Sequence, residues 1–255
     1  MPSTNWSNFL DRVNSHLESL AESGCDMPFF RGHSDNTWKL LCGLGRQSPE
    51  EFKKQNLESI LYYDFMSLAG PTLGKDADSW DVLFAMRHHG LPTRLLDWTT
   101  TFAVALYFAV QPHEFLQYLK PSARFPHQPC VWILDPFELN RLCQGEPVIA
   151  NPRTDFDGNY QENFIERSKE LGSDIVAIYP TRLTPRQMAQ RSVFTLHEKP
   201  LEKLAPKFAT RFDLPLDCVD DAISFLALAG INEYTLFPDL DGLARHLKKE
   251  HVSWF

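Results

Sequence analysis

Apolar residues recur every three to four positions through most of the first 110 residues, and short runs rich in β-branched and aromatic residues take over after residue 129. Strict alternation of strands and helices would wind a parallel sheet. Helices gathered ahead of mixed strands and helices predict an α+β domain instead, with a helical N-terminal half and a mixed, mostly antiparallel β core. Trp6, Phe9, Leu10, Val13, Leu17 and Leu20 mark a helix over residues 5–22, with Ser3 or Thr4 as its cap. Leu57, Ile60, Leu61, Phe65 and Leu68 mark a second, and a third runs from about Ser79 to His89 and stops at Gly90. Phe102 to Val110 reads as a buried helix capped by Thr99 or Thr100. Further on, strands are expected at 130–134, 175–179, 193–197 and 231–237, and helices at 163–171, 217–229 and 239–249. Segments 111–129 and 144–160 carry the proline, glycine and asparagine of loops.

The 255 residues suit a single domain. Lys and Arg number 25 against 33 Asp and Glu, so the net charge is −8, and a global basic footprint for nucleic acid is excluded while a local basic groove is not. No apolar run approaches the roughly 18–20 residues that cross a bilayer, and the first residues have neither the basic start nor the apolar core of a signal peptide. A cytoplasmic location is expected. The five cysteines form no CxxC pair and the nine histidines no metal-binding spacing, so no metal site is expected.

Three segments hold polar residues that a plain core does not need. In Pro28-Phe29-Phe30-Arg31-Gly32, two aromatics place a short strand in the core, and an arginine follows beside a glycine. Arg31 either pairs with a core carboxylate or grips a phosphate. From Arg87 to Thr99 the chain carries two arginines, His88, His89, Thr93, Asp97 and Trp98 around the Gly90-Leu91-Pro92 turn. An Asp97 cap paired with Arg94 would account for two of these residues and leave the others unexplained. In Arg186-Gln187-Met188-Ala189-Gln190, an arginine and a glutamine four apart either line a pocket wall or lie on a solvated helix face.

Together these segments resemble the FRG domain, named for its aromatic-Arg-Gly motif. The resemblance rests on Phe30-Arg31-Gly32, Trp38-Lys39-Leu40, the block from Arg87 to Phe108, Arg186 to Phe194, and Phe237-Pro238-Asp239-Leu240-Asp241-Gly242. It covers about residues 28–245 and implies one FRG-type domain over 1–255, with 1–27 forming an N-terminal helix. Two departures stand out: Arg87 takes the place of a more usual glutamine, and Arg191-Ser192 that of a more usual Gln-Gly.

The layout is also similar, more weakly, to the ADP-ribosyltransferase fold. That likeness implies an NAD-dependent transferase in which Arg31, with Arg94, holds the pyrophosphate. Gly32, Thr93, Trp98, Thr99 and Tyr107 would complete the NAD site, a tryptophan or tyrosine stacking on nicotinamide. Glu233 would stabilise the ribosyl cation, with His89 and Asp97 as further catalytic candidates. Breaking the nicotinamide–ribose bond builds positive charge on the sugar, which a fixed carboxylate in a water-poor site stabilises. The implied partners are NAD, a macromolecular acceptor (RNA, DNA or protein), and an antitoxin or chaperone protein if the chain is a toxin or phage-defence effector. The alternative from a different class is a non-catalytic module that senses a nucleotide or other phosphate ligand through the same residues.

Overall fold

A computed structural model describes residues 3–48, 50, 56–69, 72–74, 76–111, 127–181 and 184–252. Among them, six strands form one antiparallel sheet in the order β4-β5-β2-β1-β3-β6. The strands are β1 (Phe29–His33), β2 (Leu95–Thr99), β3 (Cys130–Leu134), β4 (Ile175–Ile178), β5 (Ser192–His197) and β6 (Ala209–Asp213). The helices are α1 (Thr4–Glu22), α2 (Leu57–Ala69), α3 (Ser79–His88), α4 (Phe102–Val110), α5 (Pro136–Gln144), α6 (Pro185–Ala189), α7 (Val219–Leu228), α8 (Glu233–Leu236) and α9 (Leu240–His251). The α+β expectation holds. None of the described helices is long and apolar enough to cross a membrane.

The helix ends follow local chemistry. Ser3 caps α1 by accepting from Trp6 N, and Asp78 and Asp81 close a capping box at the start of α3. At the other end of α3, Gly90 takes φ +86 while its N–H and that of Leu91 return to the carbonyls of Arg87 and Met86. That left-handed stop holds Arg87, His88 and His89 at a fixed place in the fold.

Several expected elements change. Residues 231–237 are not a strand: Asn232 and Thr235 form a capping box, and the short helix α8 follows. Side-chain competition for the first backbone N–H groups outweighs the β-branched composition there. The helix expected at 163–171 shrinks to one π-type turn, Gln161–Ile165, and ends before Arg167, which takes φ +54. Asp97 and Thr99, each a cap candidate by spacing, lie within strand β2, and the N-cap position of α4 falls to Thr101. Strand β6 and helix α5 were not expected; α5 is announced by the Asp135 cap, Pro136 at its first turn and Gly145 beyond its end. Much of the loop expected at 111–129 lies outside the described residues.

The sheet has a seam. β1 and β2 pair at one position, Phe30 opposite Thr99, whereas the flanking ladders β1–β3 and β2–β5 each pair five positions. Two apolar cores back the two halves. One joins α1, α4 and α7 to Phe30, Val131, Ile133 and Phe212 of β1, β3 and β6. The other joins α2 and α3 to Leu95, Val176, Phe194 and Leu196 of β2, β4 and β5. Alternation along β2 sends Leu96 and Trp98 to a third core with α5 on the opposite face.

Helix α4 lies directly on β1, and Gly32 makes this possible. A Cβ there would collide with the carbonyl of Ala105 and lie 2.6 Å from Ala109 N. Gly32→Ala is expected to lower stability by about 2–3 kcal/mol or to prevent folding, on the scale of overpacking against a backbone that cannot yield. Equilibrium denaturation measures this, and a loss below about 0.5 kcal/mol would mean that helix and strand separate freely.

Candidate functional site

One cavity of about 720 Å³ lies at the seam between the two halves of the sheet. Stretches of chain far apart in sequence meet there. β1 and its following loop bring Arg31, Gly32, His33 and Trp38; the end of α3 brings Arg87, His88 and His89; α6 and β5 bring Arg186, Gln187 and Gln190; the start of α9 brings Asp239 and Asp241. Arg46 completes the wall. The volume falls within the roughly 300–1,000 Å³ of small-molecule sites.

Asp97 organises the charged end. Arg87 binds it bidentately, with Nε donating to Oδ1 at 2.8 Å and Nη2 to Oδ2. Where β1 and β2 diverge, the carbonyl of Asp97 accepts from Arg31 Nη1 at 2.6 Å, and the same guanidinium lies 3.7 Å from the Asp97 carboxylate. Arg31 Nε donates to His33 Nε2 at 3.0 Å. The Asp97 side chain keeps 36% exposure because it faces the cavity.

The pKa shifts express this crowding. Burial lowers Arg31 to about 10, opposed by Asp97 and aided by Arg46 and Arg87; it is still charged at neutral pH. Burial raises the Asp97 carboxyl, but Arg87 and Arg31 more than offset it, so it lies below the ordinary carboxylate range. Burial, with Arg31 and Arg46 beside it, lowers His33 to about 2, which keeps it neutral as the acceptor for Arg31. Burial and the Arg186 charge lower His88 as well.

Three arginines therefore face one carboxylate. Arg46 donates from Nε to the Leu41 carbonyl at 3.2 Å, and Arg186 lies over the Phe237 ring at 4.6 Å with a long bond to His88 O. Neither forms an ion pair with a described carboxylate. Asp239 and Asp241 are exposed at the cavity edge, where Asp239 caps α9 through Gly242 N.

Of the residues expected in the site, Arg31, Gly32, His89, Asp97, Trp98 and Thr99 line the cavity. Trp98 does so without offering its ring: the indole is buried in the opposite core, and its N–H donates to Thr195 Oγ1 at 3.1 Å. Thr99 donates to the Gln190 carbonyl at 2.7 Å, tying the end of β2 to α6.

The remaining expected residues lie elsewhere. Arg94 is buried and paired with Glu58, its Nη2 donating to Oε2 at 2.6 Å. Its Nη1 donates to the carbonyls of His197 and Glu198, Tyr160 donates to Glu58 at 2.7 Å, and Phe164 covers the guanidinium. With its donors so occupied, Arg94 holds no ligand. Thr93 is buried beside it, its hydroxyl accepting from Leu95 N. Glu233 begins α8 and pairs with Lys249 at 2.7 Å, outside the cavity. Burial raises its carboxyl, and Lys249 more than offsets that. Tyr107 lies in the core beside it, its phenol raised by burial and by the Glu233 charge.

The residues that the chain order hid are Arg46 and His33. Arg46 sits on a short 3₁₀ turn that docks against Pro92-Thr93 through Gly43, a contact between segments nearly fifty residues apart with no local pattern to announce it.

Residues 27–115 match the family model of the FRG domain, the family that the sequence motifs resemble. The match spans β1, α2, α3, β2 and α4, and thus Arg31, Arg87 and Asp97. No curated protein and no solved structure matched the chain.

Two substitutions separate structure from site. Glu58→Gln is expected to cost roughly 3–5 kcal/mol, as in breaking a buried ion pair, with ligand binding per folded molecule unchanged. Asp97→Asn leaves three arginines facing one another. About 1–2 kcal/mol is expected there, less than for a fully buried pair because the carboxylate faces solvent. Millimolar inorganic phosphate should raise the melting temperature of Glu58→Gln only as much as that of wild type and that of Asp97→Asn by more; equal responses in the two variants would contradict the assignment.

Proposed function

We propose that the chain is an NAD-dependent ADP-ribosyltransferase-like enzyme whose seam cavity takes the dinucleotide. The observation that carries this reading is the excess of positive charge: Arg31, Arg46 and Arg87 surround one carboxylate, and Arg186 stands beside them, in a protein of net charge −8. Guanidinium groups partly removed from water need an anion, and a pyrophosphate offers bidentate oxygens of matching geometry.

The chemistry assigned to the residues follows their placement. Arg31, Arg46, Arg87 and Arg186 orient the pyrophosphate, so that positioning contributes to the rate. Asp97 is the carboxylate that faces the cavity from the strand. Being held by Arg87 and kept ionised, it acts as a fixed negative charge for a developing ribosyl cation, not as a proton acceptor. His89, exposed at the end of α3, is the group open to an acceptor molecule and can take its proton. A macromolecular acceptor, nucleic acid or protein, would approach from that side.

A second reading is favoured by one observation: Glu233, the carboxylate expected to drive the transfer, pairs with Lys249 away from the cavity. A site holding phosphate without turning it over would be a sensing module. Nicotinamide release from NAD by purified protein, with and without total RNA, DNA or cell lysate, decides between them. Release supports the transferase; binding of ADP-ribose with no release under any condition supports the sensor.

Arg186→Ala is the cleanest binding variant, since Arg186 makes only weak internal contacts. It should weaken ADP-ribose roughly tenfold or more, the scale of one charge-assisted hydrogen bond, with the melting temperature of the free protein unchanged. Calorimetric titration checks this. Undiminished affinity would remove Arg186 from the ligand site.

A further inference from the structure

Trp38 is an indole left half in water at the edge of a charged cavity, with 54% of its surface exposed. Tyr63 and Tyr234 are exposed nearly as much, so what sets Trp38 apart is its place on the rim of the cavity. The loop that carries it is firmly built. Asp35 Oδ1 accepts from Thr37 N at 2.7 Å and from Thr37 Oγ1 at 2.6 Å, and Trp38 N donates to the Asp35 carbonyl at 3.3 Å. Asn36 N donates to Gln128 O at 2.8 Å, and Arg211 donates to Asn36 O at 2.9 Å. The ring is therefore presented, not frayed.

Its surroundings point towards the arginines. Trp38 meets His33 edge-on, with ring centroids 5.8 Å apart and an interplanar angle of 61°. His33 in turn accepts from Arg31 Nε. One residue thus separates an exposed aromatic face from the guanidinium cluster. A nucleotide has the same plan, a planar base and an anion joined by a sugar. Building on the assignment of the cavity to a dinucleotide, we propose that Trp38 is the stacking platform for its adenine base.

Adenine is assigned, not nicotinamide, because of water. The bond to nicotinamide breaks with charge developing on the ribose, and that end needs the drier, charged interior around Asp97. A half-exposed indole at the rim suits the end that takes no part in the reaction. Stacking on an aromatic platform needs no hydrogen-bond code and tolerates partial exposure.

The test is calorimetric titration of wild type, Trp38→Ala and Trp38→Phe with ADP-ribose, AMP, nicotinamide mononucleotide and inorganic pyrophosphate. Matching melting temperatures verify that the variants are folded, as expected for an exposed side chain. Trp38→Ala should weaken ADP-ribose and AMP about tenfold or more, the scale of removing an aromatic under one base, while pyrophosphate and nicotinamide mononucleotide stay within about twofold. Trp38→Phe should recover most of the loss. Unchanged ADP-ribose affinity in Trp38→Ala overturns the proposal, as does equal weakening of all four ligands. Selective loss of nicotinamide mononucleotide overturns the adenine assignment. Wild type that binds none of the nucleotides fails the dinucleotide reading and this one together, whereas adenine stacking without nicotinamide release fails only the transferase.

Discussion

The Asp97 carbonyl and carboxylate, held by Arg31 and Arg87, are the interaction on which the open seam and its cavity depend. A six-stranded sheet that pairs two central strands at one position would ordinarily leave backbone groups without partners. Here the Arg31 guanidinium takes the place of a ladder bond, and the gap it spans becomes the cavity. Gly32, next along β1, lets α4 close over the same strand end. Opening the seam, seating the helix and gathering cationic charge are one structural decision.

That decision is costly in stability and useful for binding. Three guanidinium groups near one carboxylate are held against their mutual repulsion, which adds to burial in lowering the pKa of Arg31. The buried Arg94–Glu58 pair is the contrast. Arg94 stands between Arg87 and Asp97 in the chain, but its nitrogens face Glu58 or a carbonyl. One arginine has a carboxylate to itself, and the others share Asp97. Sites that break a local rule in this way are where function is expected.

Much of this was legible before the structure. α1, α2, α3, α4, α7 and α9, with β3, β4 and β5, announce themselves through periodicity and capping residues, because those signals are local. β2 does not, since Asp97 and Thr99 in a strand look like helix caps until the carboxylate's partners are known. β6 buries Ala209 and Phe212 and exposes Thr210 and Arg211 between them, so its five residues carry no period-two pattern to stand out. Residues 231–237 mislead in the other direction, where one Asn-Thr capping pair overrides strand-like composition. In the site, the crowding of polar residues from Arg87 to Thr99 was visible as something a core does not require. Whether Arg94 or Arg87 faced the cavity was not, because that depends on Glu58 and Asp97, placed by long-range packing.

The central claim is that the seam arginines form a ready-made seat for a pyrophosphate. A crystal structure of the protein with ADP-ribose tests it most directly. Both phosphates should lie within hydrogen-bond distance of guanidinium groups among Arg31, Arg46, Arg87 and Arg186, with the Asp97–Arg87 pair intact and facing the ribose. ADP-ribose bound elsewhere, or bound in the cavity with its phosphates turned to solvent and the arginines engaged only with protein, would contradict the account.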